Sequence, residues 1–256
     1  MCHSDAMGGW LPRVGRPLLP GPARFLAVWV TAGCAVLVTA LGVLFAHQRT
    51  ADGFDKVIDA PAINWLRGQP HLQEWLAWPG TLKPIAVLVV VVAAGCLLSG
   101  RLNGALLAVA AVPAATGLDE ALIKPLVDRT YLGNYAYPSG HVTTDAALAA
   151  VLSILLLIPP QRAGTRLPRI LVVALAWAVT VVVAIAVMGL RWHYFTDTVA
   201  GAAVGIGTTA ALALLIDLPA LRRGLDRLCR AWPSRAAAPA RTAVPRPEPD
   251  RGRTDA

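Results

Sequence analysis

Two short stretches carry the residues that could do chemistry. From Asn134 the chain reads NYAYPSGHVTTD, and from Arg191 it reads RWHYFTD. The first sets Ser139, Gly140 and His141 behind a proline. The second sets Asp197 four residues after His193, with Arg191 just before, and Lys124 and Arg129 lie upstream of both stretches. Three fixed cations, a serine hydroxyl and the backbone N–H groups of a Pro-Ser-Gly-His turn opening a helix would make a receptor for a phosphate oxyanion. Glycine at 140 would let the backbone approach that anion closely. A spacing of four puts the His193 imidazole and the Asp197 carboxylate on one helical face. Asp197 is then expected to accept the proton of one ring nitrogen, leaving the other free to attack phosphorus. His141 would protonate the departing oxygen as a general acid. This chemistry calls for no metal and no cofactor.

The elements that must position these residues are membrane spans. The chain has 256 residues, is 56% hydrophobic and only 15% charged, with a mean hydropathy of +0.57. These values exclude an ordinary soluble single-core domain. Phe25 to Ala46 is uncharged and longer than the roughly 20 residues a helix needs to cross the hydrocarbon layer. Ile170 to Leu190 and Phe195 to Ile216 are similar, and shorter blocks run from Pro84 to Leu98, Ala105 to Ile123 and Val142 to Ile158. The expected fold class is therefore all-α, a polytopic membrane protein of six spanning helices. The first block exceeds the roughly 7 to 15 apolar residues of a signal peptide, so it reads as a retained span.

The net charge of +8 could suggest nucleic acid, but the arginines are spaced as a membrane protein spaces them. They precede span one (Arg13, Arg16, Arg24), separate spans two and three (Arg101) and four and five (Arg162, Arg166, Arg169), and recur after span six from Arg222 to Arg253. A cytoplasmic location for those segments puts both termini inside. The chain crosses twice between His141 and His193, so both histidines emerge on one face, the extracytoplasmic one. Ionisable residues concentrated at membrane depth mark a functional site by default.

Pro138-Ser139-Gly140-His141, followed by His193-x3-Asp197 and preceded by Lys124, resembles the type 2 phosphatidic acid phosphatase family. That family is related to vanadium-dependent haloperoxidases and bacterial acid phosphatases. The resemblance implies a PAP2-like helical bundle core in which His193 is the nucleophile, Asp197 orients it and His141 is the acid. It also implies that Lys124, Arg129, Ser139 and Gly140 hold the phosphate, and Arg191, two residues before His193, is expected to reach the same anion from a different backbone point. Two family pairs are replaced: Arg-Pro by Tyr131-Leu132, and Ser-Arg by Ala186-Val187. The implied activity is hydrolysis of a phosphomonoester or pyrophosphate on a lipid. The alternative is a non-catalytic lipid-phosphate binding or transport protein on the same scaffold.

The remaining features are read more plainly. Residues 1–24 form a cytoplasmic lead, 25–220 the six-helix membrane domain, and 221–256 a basic tail too poor in large apolar groups to fold. The outer loop of residues 49–83 carries apolar residues at helical spacing, divided by Pro61, Pro70 and Pro79, and reads as interfacial helices. Four scattered cysteines form neither a disulfide framework nor a zinc site. No glycine-rich nucleotide loop occurs. Glu120 and Lys124 are spaced as a structural i, i+4 pair, while Asp119, Asp128 and Asp145 read as rim or supporting residues. The expected partners are a lipid phosphate and the bilayer, not nucleic acid.

Overall fold

The structure is a computed structural model and describes residues 17–158 and 166–231. Among the described residues, six helical segments are long and apolar enough to cross a membrane, as the sequence predicts. Helix α1 is Gly21–Leu44. The outer loop holds α2 (Gly53–Trp65) and α3 (Pro70–Ala77), which leads through a single 3₁₀ turn, Trp78–Gly80, into α4 (Leu82–Leu98). Helix α5 (Leu102–Leu118) continues through a π-helical turn, Asp119–Ile123, into the short α6 (Lys124–Val127). A two-stranded hairpin, β1 (Thr130–Tyr131) and β2 (Asn134–Tyr135), precedes α7 (Gly140–Leu157). Helices α8 (Arg166–Gly189), α9 (Phe195–Ile216) and α10 (Pro219–Ala231) complete the chain.

Helices α7 and α9 form the centre, with 61% and 56% of their spanning windows buried, against 11% for α1 at the periphery. Their close approach depends on glycine. A Cβ on Gly201 would meet the Ser139 carbonyl oxygen at 2.5 Å, and one on Gly205 would meet the Thr143 carbonyl oxygen at 2.5 Å. Small residues spaced four apart allow this backbone-to-backbone contact, which binds helices where lipid supplies no hydrophobic driving force. The start of α7, which carries Ser139 to His141, is thereby seated on the start of α9, which follows His193.

The π turn has a local cause. Pro125 lacks an N–H, and its ring would strike the carbonyl of Ala121 in a regular helix. The chain widens instead, so that the Lys124 N–H reaches back to the Asp119 carbonyl. Such wide turns recur at functional sites, and this one presents Glu120 and Lys124.

The outer loop differs from its expected division. Pro61 lies inside α2 and does not end it. This helix also inverts the usual pattern, because Asp55 and Asp59 are buried while Phe54, Val57 and Trp65 are exposed. Its acids grip the protein and its apolar face is left for the bilayer interface. At the other end of the molecule the lead is tied down: the Leu18 and Leu19 N–H groups donate to the Asp217 carboxylate at 3.0 and 2.7 Å. Residues 221–231, expected as part of an unfolded tail, are helical, because α10 extends to Ala231. Pro219 suits a first helical position, and Leu221 and Leu225 are spaced i, i+4. The rest of that tail, the first 16 residues and the 159–165 connection with Arg162 lie outside the described residues.

Candidate active site

The polar residues gather at one end of the central helices, around a pocket of about 720 Å³. Of the eight site residues expected from sequence, Lys124, Gly140, His141, Arg191 and His193 line it. Thr116 and Glu120 come from α5 and its π turn, Gly80 and Thr81 from the start of α4, and Tyr131 and Asn134 from the hairpin. The first turn of α7 adds backbone N–H groups that have no partner within the helix, at its positive dipole end. Bulk at Gly140 would crowd this floor: a Cβ there would lie 3.0 Å from Glu120 Oε1 and 3.5 Å from Lys124 Nζ.

His193 sits in the connection between α8 and α9 and is only 7% exposed. Its Nδ1–H donates to the Ala136 carbonyl at 2.6 Å, which leaves Nε2 as the nitrogen with the free lone pair. Burial pulls its pKa down to about 3. The Ala136 bond opposes this shift, and the Lys124 and His141 charges add to it. The ring is therefore neutral at ordinary pH, as a nucleophile must be. His141 opens α7 with its ring centroid 5.5 Å from that of Trp192. Lys124 Nζ is held by Glu120 Oε1 at 2.5 Å, with Asp119 Oδ1 at 4.0 Å.

Three expected roles change. Asp197 does not bond to His193. It lies in the first turn of α9, where Oδ2 accepts the Tyr194 N–H at 2.8 Å and Oδ1 accepts Arg129 Nη1 at 2.6 Å. The Ala136 carbonyl takes the place expected for it at the imidazole. Arg129 does not reach the pocket: it is fully buried, and Nη2 donates to Asp55 Oδ2 at 2.6 Å. Two carboxylates already neutralise it, and its guanidinium lies between the Phe45 and Tyr194 rings at 4.4 and 4.3 Å. Ser139 is fully buried with its hydroxyl unpartnered, and does not line the pocket. Its N–H donates to the Asp197 carbonyl at 3.0 Å.

Asp55 and Asp59 are the structural residues that the sequence reading passed over. Asp55 accepts Arg129, the Thr196 N–H at 3.1 Å and the Thr196 hydroxyl at 2.9 Å. Asp59 accepts the Phe195 N–H at 3.0 Å. Together they pin α2 to the orphan donors at the start of α9. Burial, followed by the Asp55 charge, raises the Asp59 pKa to about 7. Among the described residues, no three His, Cys, Asp or Glu side chains converge as a metal site would require.

A family model described as the PAP2 superfamily matches residues 113–218, the stretch that holds every pocket residue from α5 to α9. The solved structure of the first transmembrane PAP2 type phosphatidylglycerolphosphate phosphatase from Bacillus subtilis superposes with a TM-score of 0.54 at 19% identity, covering 81% of this chain and 98% of that one. This likeness extends the shared fold beyond the PAP2 segment to the outer helices. No curated protein matches the chain.

The PAP2 positions that depart from the family motifs now have physical accounts. Ala186 and Val187 are fully buried in the apolar packing of α8, where an arginine would be unpaired. Arg191 instead lies beyond the end of α8, with a φ of 60°, and lines the pocket. Tyr131, where the family has arginine, stacks on Tyr194 with ring centroids 4.3 Å apart.

Proposed function

We propose that this chain is a membrane lipid phosphatase that hydrolyses a phosphomonoester or pyrophosphate, such as an isoprenoid pyrophosphate or phosphatidic acid, through a phosphohistidine intermediate. The observation that carries the reading is the convergence of His193 and His141 on one pocket with Lys124, Arg191 and the first turn of α7. The PAP2 match, and the phosphatase activity named for the similar structure, support it.

In the proposed reaction His193 Nε2 attacks phosphorus. The P–N bond forms as the P–O bond to the leaving group breaks with its electron pair on oxygen, and the proton on His141 passes to that oxygen. Water then attacks the phosphohistidine and gives a proton to His141. Inorganic phosphate leaves and His193 is restored. Lys124 exchanges its Glu120 partner for a phosphate oxygen, and Arg191 and the α7 N–H groups bind the others. Asp197 acts indirectly, by holding the Tyr194 N–H beside the nucleophile. The mechanism uses no metal.

Exposed Leu82 and Leu132 at the pocket margin suit a substrate that keeps its chain in the bilayer. Arg101, Arg166 and Arg169 lie at the opposite ends of the spans, which under the positive-inside bias supports an extracytoplasmic pocket and cytoplasmic termini. Phosphate release from phosphatidic acid, phosphatidylglycerol phosphate and an isoprenoid pyrophosphate, measured in micelles with EDTA, tests the reading. Wild type should release phosphate and His193→Ala should not. An inert wild type would instead favour a lipid-phosphate binder, and a fully active His193→Ala would overturn the nucleophile.

A further inference from the structure

The His-x3-Asp spacing occurs twice, each time at a helix start: His193 with Asp197, and His141 with Asp145. The second acid has no role in the reaction above. Asp145 lies one turn inside α7 and is 6% exposed, and its Oδ2 has no hydrogen-bond partner. A carboxylate oxygen kept at membrane depth without a partner is costly, and an ionisable residue there marks a functional site by default.

Its position sets it near His141, one helical turn away on the same face. A Cβ placed on Gly80 would lie 3.0 Å from Asp145 Oδ2 and 3.0 Å from His141 Cβ. The two atoms are therefore separated by at most twice that distance, across a gap that only a glycine leaves open. Thr144 closes the same corner, its hydroxyl lying 3.1 Å from the Gly80 carbonyl and 2.9 Å from that of His141. No hydrogen bond fixes the His141 ring among the described residues, whereas the His193 ring is held by Ala136. Lys124 and Arg191 share the pocket with His141. Glu120, the acid that lines the pocket, is already engaged by Lys124.

We propose that Asp145 is the positioning residue of the general acid: its carboxylate stabilises the imidazolium of His141 that protonates the leaving oxygen. This rests on the phosphatase reading above. Asp145 neither gains nor loses a proton in the cycle. The proton on His141 goes to the leaving oxygen as the P–O bond breaks, and water returns one in the second step.

A leaving group that is already a stable anion needs no general acid, so the contribution of Asp145 should scale with leaving-group basicity. The test compares kcat/KM for dodecyl phosphate, which departs as an alkoxide, with that for a nitrophenyl phosphate carrying the same alkyl chain. Asp145→Asn should lose roughly 30-fold or more on the alkyl ester, within the range general acids supply, and less than about 3-fold on the aryl ester. Asp145→Glu keeps the charge one methylene away and should recover part of the alkyl activity. It also carries the same comparison alone if Asp145→Asn does not fold. Equal losses on the two esters, or none on either, would overturn the role of Asp145 and leave the phosphatase reading standing. A wild type inert on both esters would overturn that reading itself.

Discussion

Replacing Asp55 by alanine tests how the outer helix supports the site. The substitution removes the acceptor of three bonds, from Arg129 at 2.6 Å and from the hydroxyl and N–H of Thr196 at 2.9 and 3.1 Å. All the groups involved are buried. Breaking a buried ion pair costs about 3–5 kcal/mol when it leaves a charge unpaired. Here Asp197 still neutralises Arg129, which reduces that term, while the orphaned Thr196 N–H adds about 1–3 kcal/mol. A loss of about 3 kcal/mol follows, or roughly 6–12 °C in melting temperature for a chain of this size. Thermal unfolding in detergent micelles, followed by tryptophan fluorescence, reads it directly. Asp55→Asn keeps one acceptor for Thr196 but not the charge, and should fall between the two. Because Asp55 does not line the pocket, both variants should lower kcat with KM unchanged. A melting temperature equal to wild type in both would refute the anchoring role of the buried cluster.

Other expectations follow from the same geometry. Asp59 has its folded pKa raised to about 7 against 3.8 for the unfolded chain, so its contribution to stability is present below pH 3.8 and is lost as pH rises through 7. Asp59→Asn should therefore raise the melting temperature at pH 8 more than at pH 5. Folded His193 refuses a proton until about pH 3, whereas the unfolded chain accepts it near 6.5, so stability should fall as pH drops between those values, and His193→Gln should flatten that slope. Arg191→Ala should raise KM roughly 10-fold with a smaller change in kcat, as expected for one lost charge-assisted contact to phosphate. Gly201→Ala, whose Cβ meets the Ser139 carbonyl at 2.5 Å, should destabilise by about 1–3 kcal/mol in a micelle unfolding assay and cut phosphate release with it.

The spans were legible because they are long uncharged runs with simple boundaries. Helix α9 occupies Phe195–Ile216, the very block that hydropathy marks. Connectivity was equally legible, since two crossings must return His193 to the face of His141. The hairpin was not, because two-residue strands show no periodicity and its turn takes a positive φ at Leu132 as well as at Gly133. Whether Arg129 faces the pocket or the interior depends on Asp55, 74 residues away in sequence. The i, i+4 acids of α2 were a usable signal, since they share one face of a helix whose other positions are largely apolar. Nothing in a sequence marks the Ala136 carbonyl as the partner of His193, since every residue has a carbonyl. That is why Asp197, the acid at helical spacing, was expected in its place.

The central claim is that phosphate passes through His193. Rapid acid-free quenching of the wild-type protein during turnover of a lipid phosphate, followed by peptide mass spectrometry, should find a phosphoramidate on His193 that is stable in base, lost in acid and missing from His193→Ala. Turnover by wild type with phosphate trapped on another residue, or sustained turnover by His193→Ala, would contradict the account.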